Sequence, residues 1–425
     1  MIATQTAQPS WSLLSFRSFV LLPYFILIIA GLTVPSDGGH GILSLKSLAF
    51  LATVSTVSLY LTASQKLSLS QFKILCFLLC SLTFLLAWMM ISLAYGETPT
   101  SSAWDQFKIC WLTVSVVAIS VFVVTEKLIS YATLLKTIIF ANCVYSTFKV
   151  GLVLLHLMGI IHMWSIVDAL GIRFMSMSIL GGMPRLQTSI DIATPFLLFF
   201  FLQGKQLGIT WNKRFRYFYL AVSIFAIFLS FSRFLMFVAA LSFFLHFLTL
   251  QFRILVRALP IFLIACVVGL SLIGFDNVYM IVERRLFSND NHASDQTRIE
   301  QVDALMEEHQ QFPVFGKGLG GFAAKSIRDG QIMHSYEVQW VAFLMQFGLI
   351  GIVLVLLPMG MIVIKILTRP LNGSKIGLFV LFLSWLFSGF TNPFLISLTS
   401  GILYTVFLLG GKALLENHPK DNETH

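Results

Sequence analysis

Pro313-Val-Phe-Gly-Lys-Gly-Leu-Gly-Gly-Phe322, followed after a short gap by His334-Ser-Tyr-Glu-Val-Gln339, closes a polar excursion (residues 276–335) inside a chain that is otherwise nearly continuous hydrocarbon. The 425 residues are 57% hydrophobic and only 11% charged, with a mean hydropathy of +0.86. Soluble domains carry about 25% charged residues, so composition excludes a soluble globular protein. It predicts an all-α polytopic membrane protein in which the excursion is the one large loop. The formal charge of +9 would suggest nucleic acid in a soluble protein. Here it reads as basic cytoplasmic loops, with no basic, aromatic-studded domain to take nucleic acid.

Working outward, apolar runs long enough to cross ~30 Å of hydrocarbon fall near residues 18–35, 42–62, 74–94, 106–124, 135–158, 188–203, 216–231, 234–250, 257–275, 338–364, 376–391 and 393–411. That predicts about twelve transmembrane helices in a single integral domain, residues 1–425. The first run lacks a small-residue cleavage site and reads as a retained span. With the N-terminus inside, Arg17, Lys66, Lys73, Lys127, Lys205, Lys213, Arg214, Arg216, Arg253, Arg257, Lys365, Arg369, Lys375, Lys412 and Lys420 all face the cytoplasm. The short outer loops 36–40 and 95–105 carry no lysine or arginine, as the positive-inside rule requires. Both termini are therefore expected in the cytoplasm and loop 276–335 outside. The polar tail, residues 416–425, is expected to be disordered. No pair of broken helices at matching positions, which inverted-repeat transporters tend to show, is visible.

The outer side nevertheless carries Arg173, Arg185, Arg233, Arg284, Arg285 and Arg298, although loop 276–335 holds six basic against nine acidic residues. Bulk charge does not explain these arginines. A guanidinium fork grips phosphate oxygens in pairs and stays charged in a low dielectric, so an anionic ligand at the outer face is one reading of Arg233; snorkelling to the interface is the other. Asp295 reads as the N-cap of an amphipathic helix of about 14 residues, with Ile299, Val302, Leu305 and Met306 at helical spacing. That places Arg298 in a first turn, where either Asp295 or a bound phosphate would offset the helix dipole. The glycines of 316–321 form no Walker loop; they let backbone approach a ligand or a neighbouring helix closely. His334 and Glu337 stand three apart at a helix start and could take a proton from a sugar hydroxyl. Each also has a plain reading, as a surface histidine and as a carboxylate favoured by a helix N-terminus. Lys149 and His156 fall on the fifth run and Asp191 at the start of the sixth, where Arg185 is a candidate partner for Asp191. The five cysteines all fall in apolar runs, so no disulfide or zinc framework is expected.

Taken in order, Ser232-Arg233, Arg298, Pro313 to Phe322, His334 and Gly348-Leu-Ile-Gly351 resemble the O-antigen polymerase and O-antigen ligase superfamily of bacterial envelope glycosyltransferases. Upstream, only Gly-Gly-x-x-Arg-Leu at 181–186 joins them. The resemblance implies a GT-C-like membrane fold in the bacterial inner membrane. It also implies a metal-independent, inverting glycosyl transfer at the outer leaflet, with no cofactor. The donor would be an oligosaccharide on undecaprenyl diphosphate. The acceptor would be another lipid-linked repeat unit for a polymerase, or lipid A–core for a ligase. On that reading Arg233, Arg298 and, as a third candidate, Arg185 hold the diphosphate. His334 and Glu337 handle the acceptor proton, and Gly318 and Gly320 shape the loop behind them. The ligase pattern places His-Asn eleven residues before the glycine of the last motif; here Glu337 holds that position and His334 lies fourteen before Gly348. Either His334 has shifted by about one turn, or the acid-base role passes to Glu337, or the chain is a polymerase that manages without that histidine. The third option favours polymerase over ligase. A lipid-linked oligosaccharide flippase is the reading from another class, and whether a chain-length-regulating membrane protein binds is left open.

Overall fold

The computed structural model describes residues 11–35, 45–63, 67–169, 176–180, 183–249, 289–327, 332–368 and 371–416. The expected span 257–275, the tail 417–425, and Arg173, Arg284 and Arg285 lie outside them. Every other expected span coincides with a helix. These are α1 (Trp11–Thr33), α2 (Leu45–Ala63), α3 (Leu69–Tyr95), α4 (Thr100–Thr125), α5 (Tyr131–Leu157), α7 (Ala193–Leu202), α8 (Lys213–Leu229), α9 (Arg233–Thr249), α11 (Gln339–Leu367), α12 (Gly373–Phe387) and α13 (Leu398–Glu416). Among the described residues two helices lie between spans, α6 (Met163–Ala169) and α10 (Asn289–Gln311). Six helices among the described residues are long and apolar enough to cross a membrane, and four more are apolar but shorter. Leu349, Val353, Leu357 and Ile364 of α11 and Phe237, Phe244 and Leu248 of α9 are exposed. Such a concentration of bare apolar side chains on helix faces is what contact with lipid produces.

Two elements depart from a plain helical bundle. A two-stranded antiparallel ribbon, β1 (Ser176–Leu180) and β2 (Met183–Gln187), stands where no strand is expected, with Ser178 opposite Arg185. Alternating residues interrupted by Gly181-Gly182 are its sequence signal. The other is α7, whose ten residues rise only ~15 Å, half the hydrocarbon thickness. Its residues Ala193 to Phe201 are all buried, and non-helical backbone before it is tolerated because protein, not lipid, surrounds it.

Contacts fix which helix ends lie together. Lys149 near the end of α5 donates to the Ala226 carbonyl near the end of α8 at 2.9 Å, while Asn142 accepts from Tyr219 at 3.0 Å; α5 and α8 are parallel. Thr249 lies against Gly373 and Leu245 against Gly377, so α9 and α12 are antiparallel. Trp340 at the start of α11 donates to the Leu386 carbonyl near the end of α12 at 2.7 Å. Trp88 in α3 donates to the Phe347 carbonyl at 3.0 Å. One end of the bundle therefore gathers the end of α3, the start of α4, the α8–α9 turn, the start of α11 and the loop residues 312–327 and 332–338. This loop end holds the candidate residues.

Candidate functional site

The glycine motif is built into the scaffold. Helix α11 is interrupted at Gly348 (φ 64°, ψ −173°), a conformation essentially confined to glycine. The break frees backbone groups on both sides, and the loop satisfies them. Pro313 and Val314 carbonyls accept from Leu349 and Ile350 at 3.0 and 3.1 Å, and Lys317 and Gly318 amides donate to Met345 and Gln346 carbonyls at 2.8 and 2.9 Å. Gly316, Gly318 and Gly320 all have positive φ. A Cβ on Gly318 would lie 2.4 Å from the Ser92 amide nitrogen, and one on Gly320 2.3 Å from that of Ala103. Of the two readings of the motif, close approach to neighbouring helices is the one seen.

The buried side of this loop fixes His334. Its Nδ1 lies 3.1 Å from the Ser102 hydroxyl, which donates to the Gly320 carbonyl at 2.9 Å. Gln346 donates to the Gly321 carbonyl at 2.9 Å and, at 3.5 Å, to that of His334. Burial pushes the imidazole down to about 4, against a smaller opposing pull from Asp105. The ring is therefore neutral at physiological pH, as a base must be. Ser102 carried no signal in the sequence; nothing marks a serine in the first turn of an apolar helix as a histidine's partner.

Arg298 and Glu337, predicted for different roles, are brought together. Arg298 Nε donates to Glu337 at 2.9 Å and its Nη1 to Asp295 at 2.8 Å. The guanidinium is 25% exposed and Glu337 21%, so the pair borders solvent. The Glu337 amide donates to the Gln301 side chain of α10 at 3.0 Å, and Leu305 and Ala304 pack with Tyr336, Val338 and Met345. The expected helix start is corrected. Helix α10 begins at Asn289 and runs to Gln311, because nothing in 289–294 breaks a helix. Asp295 is thus not an N-cap but the i,i+3 partner of Arg298, and the dipole argument for Arg298 falls away. Ile299, expected on the buried stripe, is exposed.

Nearby, Lys317 is almost fully buried between Glu308 at 2.7 Å and Glu97 at 3.0 Å. Burial lowers its ammonium, but hydrogen bonds and attraction to Glu308 and Glu97 outweigh that and raise it. It ties α10 to the α3–α4 connection.

Arg233 opens α9 after a turn in which Phe231, buried, has φ +46°. Such a conformation in a bulky residue marks a constrained site. Its guanidinium is exposed and has no hydrogen-bond or ion-pair partner among the described residues. No hydrogen bond joins it to Arg298 or His334. Arg185 lies on β2, which meets the bundle where Leu186 packs with Leu152, Val153 and Leu229. Asp191 pairs with Lys149 at 2.7 Å, both almost fully buried, and not with Arg185. Its other oxygen accepts from the Thr188 amide at 2.7 Å. The carboxylate sits where α5 and α8 enclose it.

Residues 218–356, which contain Arg233, Arg298, the glycine loop, His334 and Glu337, match the family model described as O-antigen ligase. Over these residues the chain is similar to the O-antigen ligase family. The match shows the resemblance to the O-antigen polymerase and ligase superfamily, and the motifs that carry it all lie within the ligase-family region except Arg185. No curated protein matches the sequence. The match supports glycosyltransferase-type activity for a multi-pass membrane protein.

Proposed function

We propose that the chain is a polysaccharide polymerase that transfers glycan from an undecaprenyl diphosphate donor to a lipid-linked acceptor, working at the outer leaflet of the bacterial inner membrane. It would cross the membrane twelve times, with both termini cytoplasmic and loop 276–335 outside. The observation that carries this reading is Arg233. It is an exposed guanidinium without a partner among the described residues, on a constrained turn at the same end of the bundle as a neutral histidine. A cation left unpaired beside hydrocarbon is costly unless a ligand completes it, and a diphosphate is the anion its fork fits.

In the proposed step the acceptor hydroxyl oxygen attacks the anomeric carbon of the donor sugar from the face opposite the diphosphate. The bond from that carbon to the diphosphate oxygen breaks, and the electron pair leaves with the diphosphate, inverting the centre. The hydroxyl proton passes to His334. Glu337 is already engaged by Arg298, so the geometry favours His334 as base, with Glu337 holding Arg298 toward the ligand. Arg233, Arg298 and Arg185 offset charge on the departing diphosphate, the kind of electrostatic stabilisation that is usually the largest contribution to such a reaction. No metal takes part on this reading, because the guanidinium groups fill that role.

The ligase reading is favoured by the description of the matching family. Surface polysaccharide on a gel separates the two: loss of a polymerase leaves single repeat units on the core, whereas loss of a ligase leaves the core alone. The central test is purified protein incubated with lipid-linked repeat units and no energy source. Longer glycans are expected from the wild type and none from Arg233→Ala. Unchanged glycans would point to a flippase, and full activity in Arg233→Ala would remove that residue from the site.

A further inference from the structure

Ser102 sits between two atoms that both need its attention. The Gly320 carbonyl, 2.9 Å away, can only accept, and a serine hydroxyl has one hydrogen. That hydrogen is therefore spent on Gly320. The contact of 3.1 Å with His334 Nδ1 is then a hydrogen bond only if the ring nitrogen donates. The reverse arrangement would set the serine and carbonyl lone pairs against each other in a buried site, at a cost of about 1–3 kcal/mol.

The rest of the network leaves Gly320 no freedom to reverse this order. Its amide donates to the Gln106 side-chain oxygen. Gln106 donates to the Gln346 side-chain oxygen at 2.7 Å, and Gln346 donates to the Gly321 carbonyl at 2.9 Å and toward the His334 carbonyl. Backbone amides only donate and carbonyls only accept, so both glutamine orientations are fixed. The ring of bonds runs in one sense from His334 Nδ1 through Ser102, Gly320, Gln106 and Gln346 back to His334. His334 Nε2 has no partner among the described residues, and it is not among the buried polar atoms left without one.

We infer that Ser102 is a positioning residue that holds His334 in the Nδ1–H tautomer, so that the lone pair faces outward on Nε2 toward the acceptor hydroxyl. This rests on the reading of His334 as the base, but the tautomer can be measured without it. In the full chain labelled with 15N-histidine and held in lipid nanodiscs, the His334 signals are assigned by difference from His334→Asn. A protonated Nδ1 and an unprotonated Nε2 are expected at pH 7, Ser102→Ala should move the ring toward the opposite tautomer, and Ser102→Thr should keep it. A protonated Nε2 in the wild type, or an unchanged spectrum in Ser102→Ala, overturns the inference. With lipid-linked repeat units as substrate, Ser102→Ala should lower kcat on the order of 10-fold with KM retained, and Ser102→Thr should restore most of it. An unaltered kcat in Ser102→Ala overturns the positioning role. If the wild type transfers no glycan, the proposed function falls, and the 15N spectra still decide the tautomer.

Discussion

Lys149 and Asp191 meet at 2.7 Å with side chains 2% and 1% exposed, and each has a second backbone partner, the Ala226 carbonyl and the Thr188 amide. Two charges survive at such depth only when nearly every polar atom is satisfied. The pair joins α5, α8 and the segment after β2, so it seats the ribbon carrying Arg185 and the end of α8 that leads to Arg233. Removing one partner strands the other. Lys149→Met should destabilise the purified protein by about 3–5 kcal/mol, read as a lower thermal midpoint, and adding Asp191→Asn should recover much of the loss. A single variant that melts with the wild type would show that the pair holds nothing together. At this scale the sequence singled out these charges and, of their partners, named only Asp295 for Arg298. Lys149, Asp191, Arg298 and Glu337 stood out as charges in or beside apolar runs. Lys149 and Asp191 stand 42 positions apart in the chain, and Arg298 and Glu337 39 apart; no local pattern encodes such pairings. Ser102 stayed invisible for the opposite reason: a small polar residue is ordinary anywhere.

The element that organises the site is the broken helix α11 with the loop that mends it. The turn at Gly348 would interrupt a membrane helix at the cost of several unpaired backbone groups, and Pro313 to Gly318 supply a partner to both sides of the break. The indole of Trp88 closes the junction by donating to the Phe315 and Phe347 carbonyls at 2.8 and 3.0 Å. This explains why glycines recur both at 316–321 and at 348. A Cβ on Gly348 would stand 2.4 Å from the Gly316 amide and the Val314 carbonyl, and one on Gly316 2.4 Å from the Gln346 carbonyl. Gly348→Ala should therefore do more than strain its own backbone, which alone costs about 1–3 kcal/mol. It should push the loop off α11, and with it the Ser102–Gly320–His334 contact. Reduced recovery of folded protein and a lowered thermal midpoint are expected, whereas Gly360→Ala, in open space on the same helix, should behave as the wild type. Equal stability of the two variants would mean that the loop does not depend on the break. The glycine run was legible as a place of close approach, but the break was not. Gly348 lies in so apolar a run that hydropathy reads straight through it.

On the scale of the whole molecule, hydropathy alone located nearly every long helix, because each must present an apolar surface to lipid. It read 188–203 as one plain crossing helix, whereas only Ala193–Leu202 is helical there, since a buried ten-residue helix and a full-length one are equally apolar. It was silent on the ribbon, whose alternation is only five residues long on each side. The separation of charge between the two ends carries the remaining step. Lys213, Arg214 and Arg216 start α8, Lys365 ends α11 and Lys412 lies near the end of α13, all opposite the loop end. Lysine-rich short segments are retained in the cytoplasm, so the loop end should face out, where lipid-linked repeat units are polymerised on the proposed reading. The check uses a chain without native cysteines and single replacements at two exposed sites, Glu300→Cys on α10 and Lys213→Cys at the start of α8. A membrane-impermeant maleimide added to intact spheroplasts should label the first at once and the second only after permeabilisation. The reverse pattern would put Arg233, Arg298 and His334 in the cytosol, apart from any donor presented on the outer leaflet, and the polymerase assignment could not stand with it.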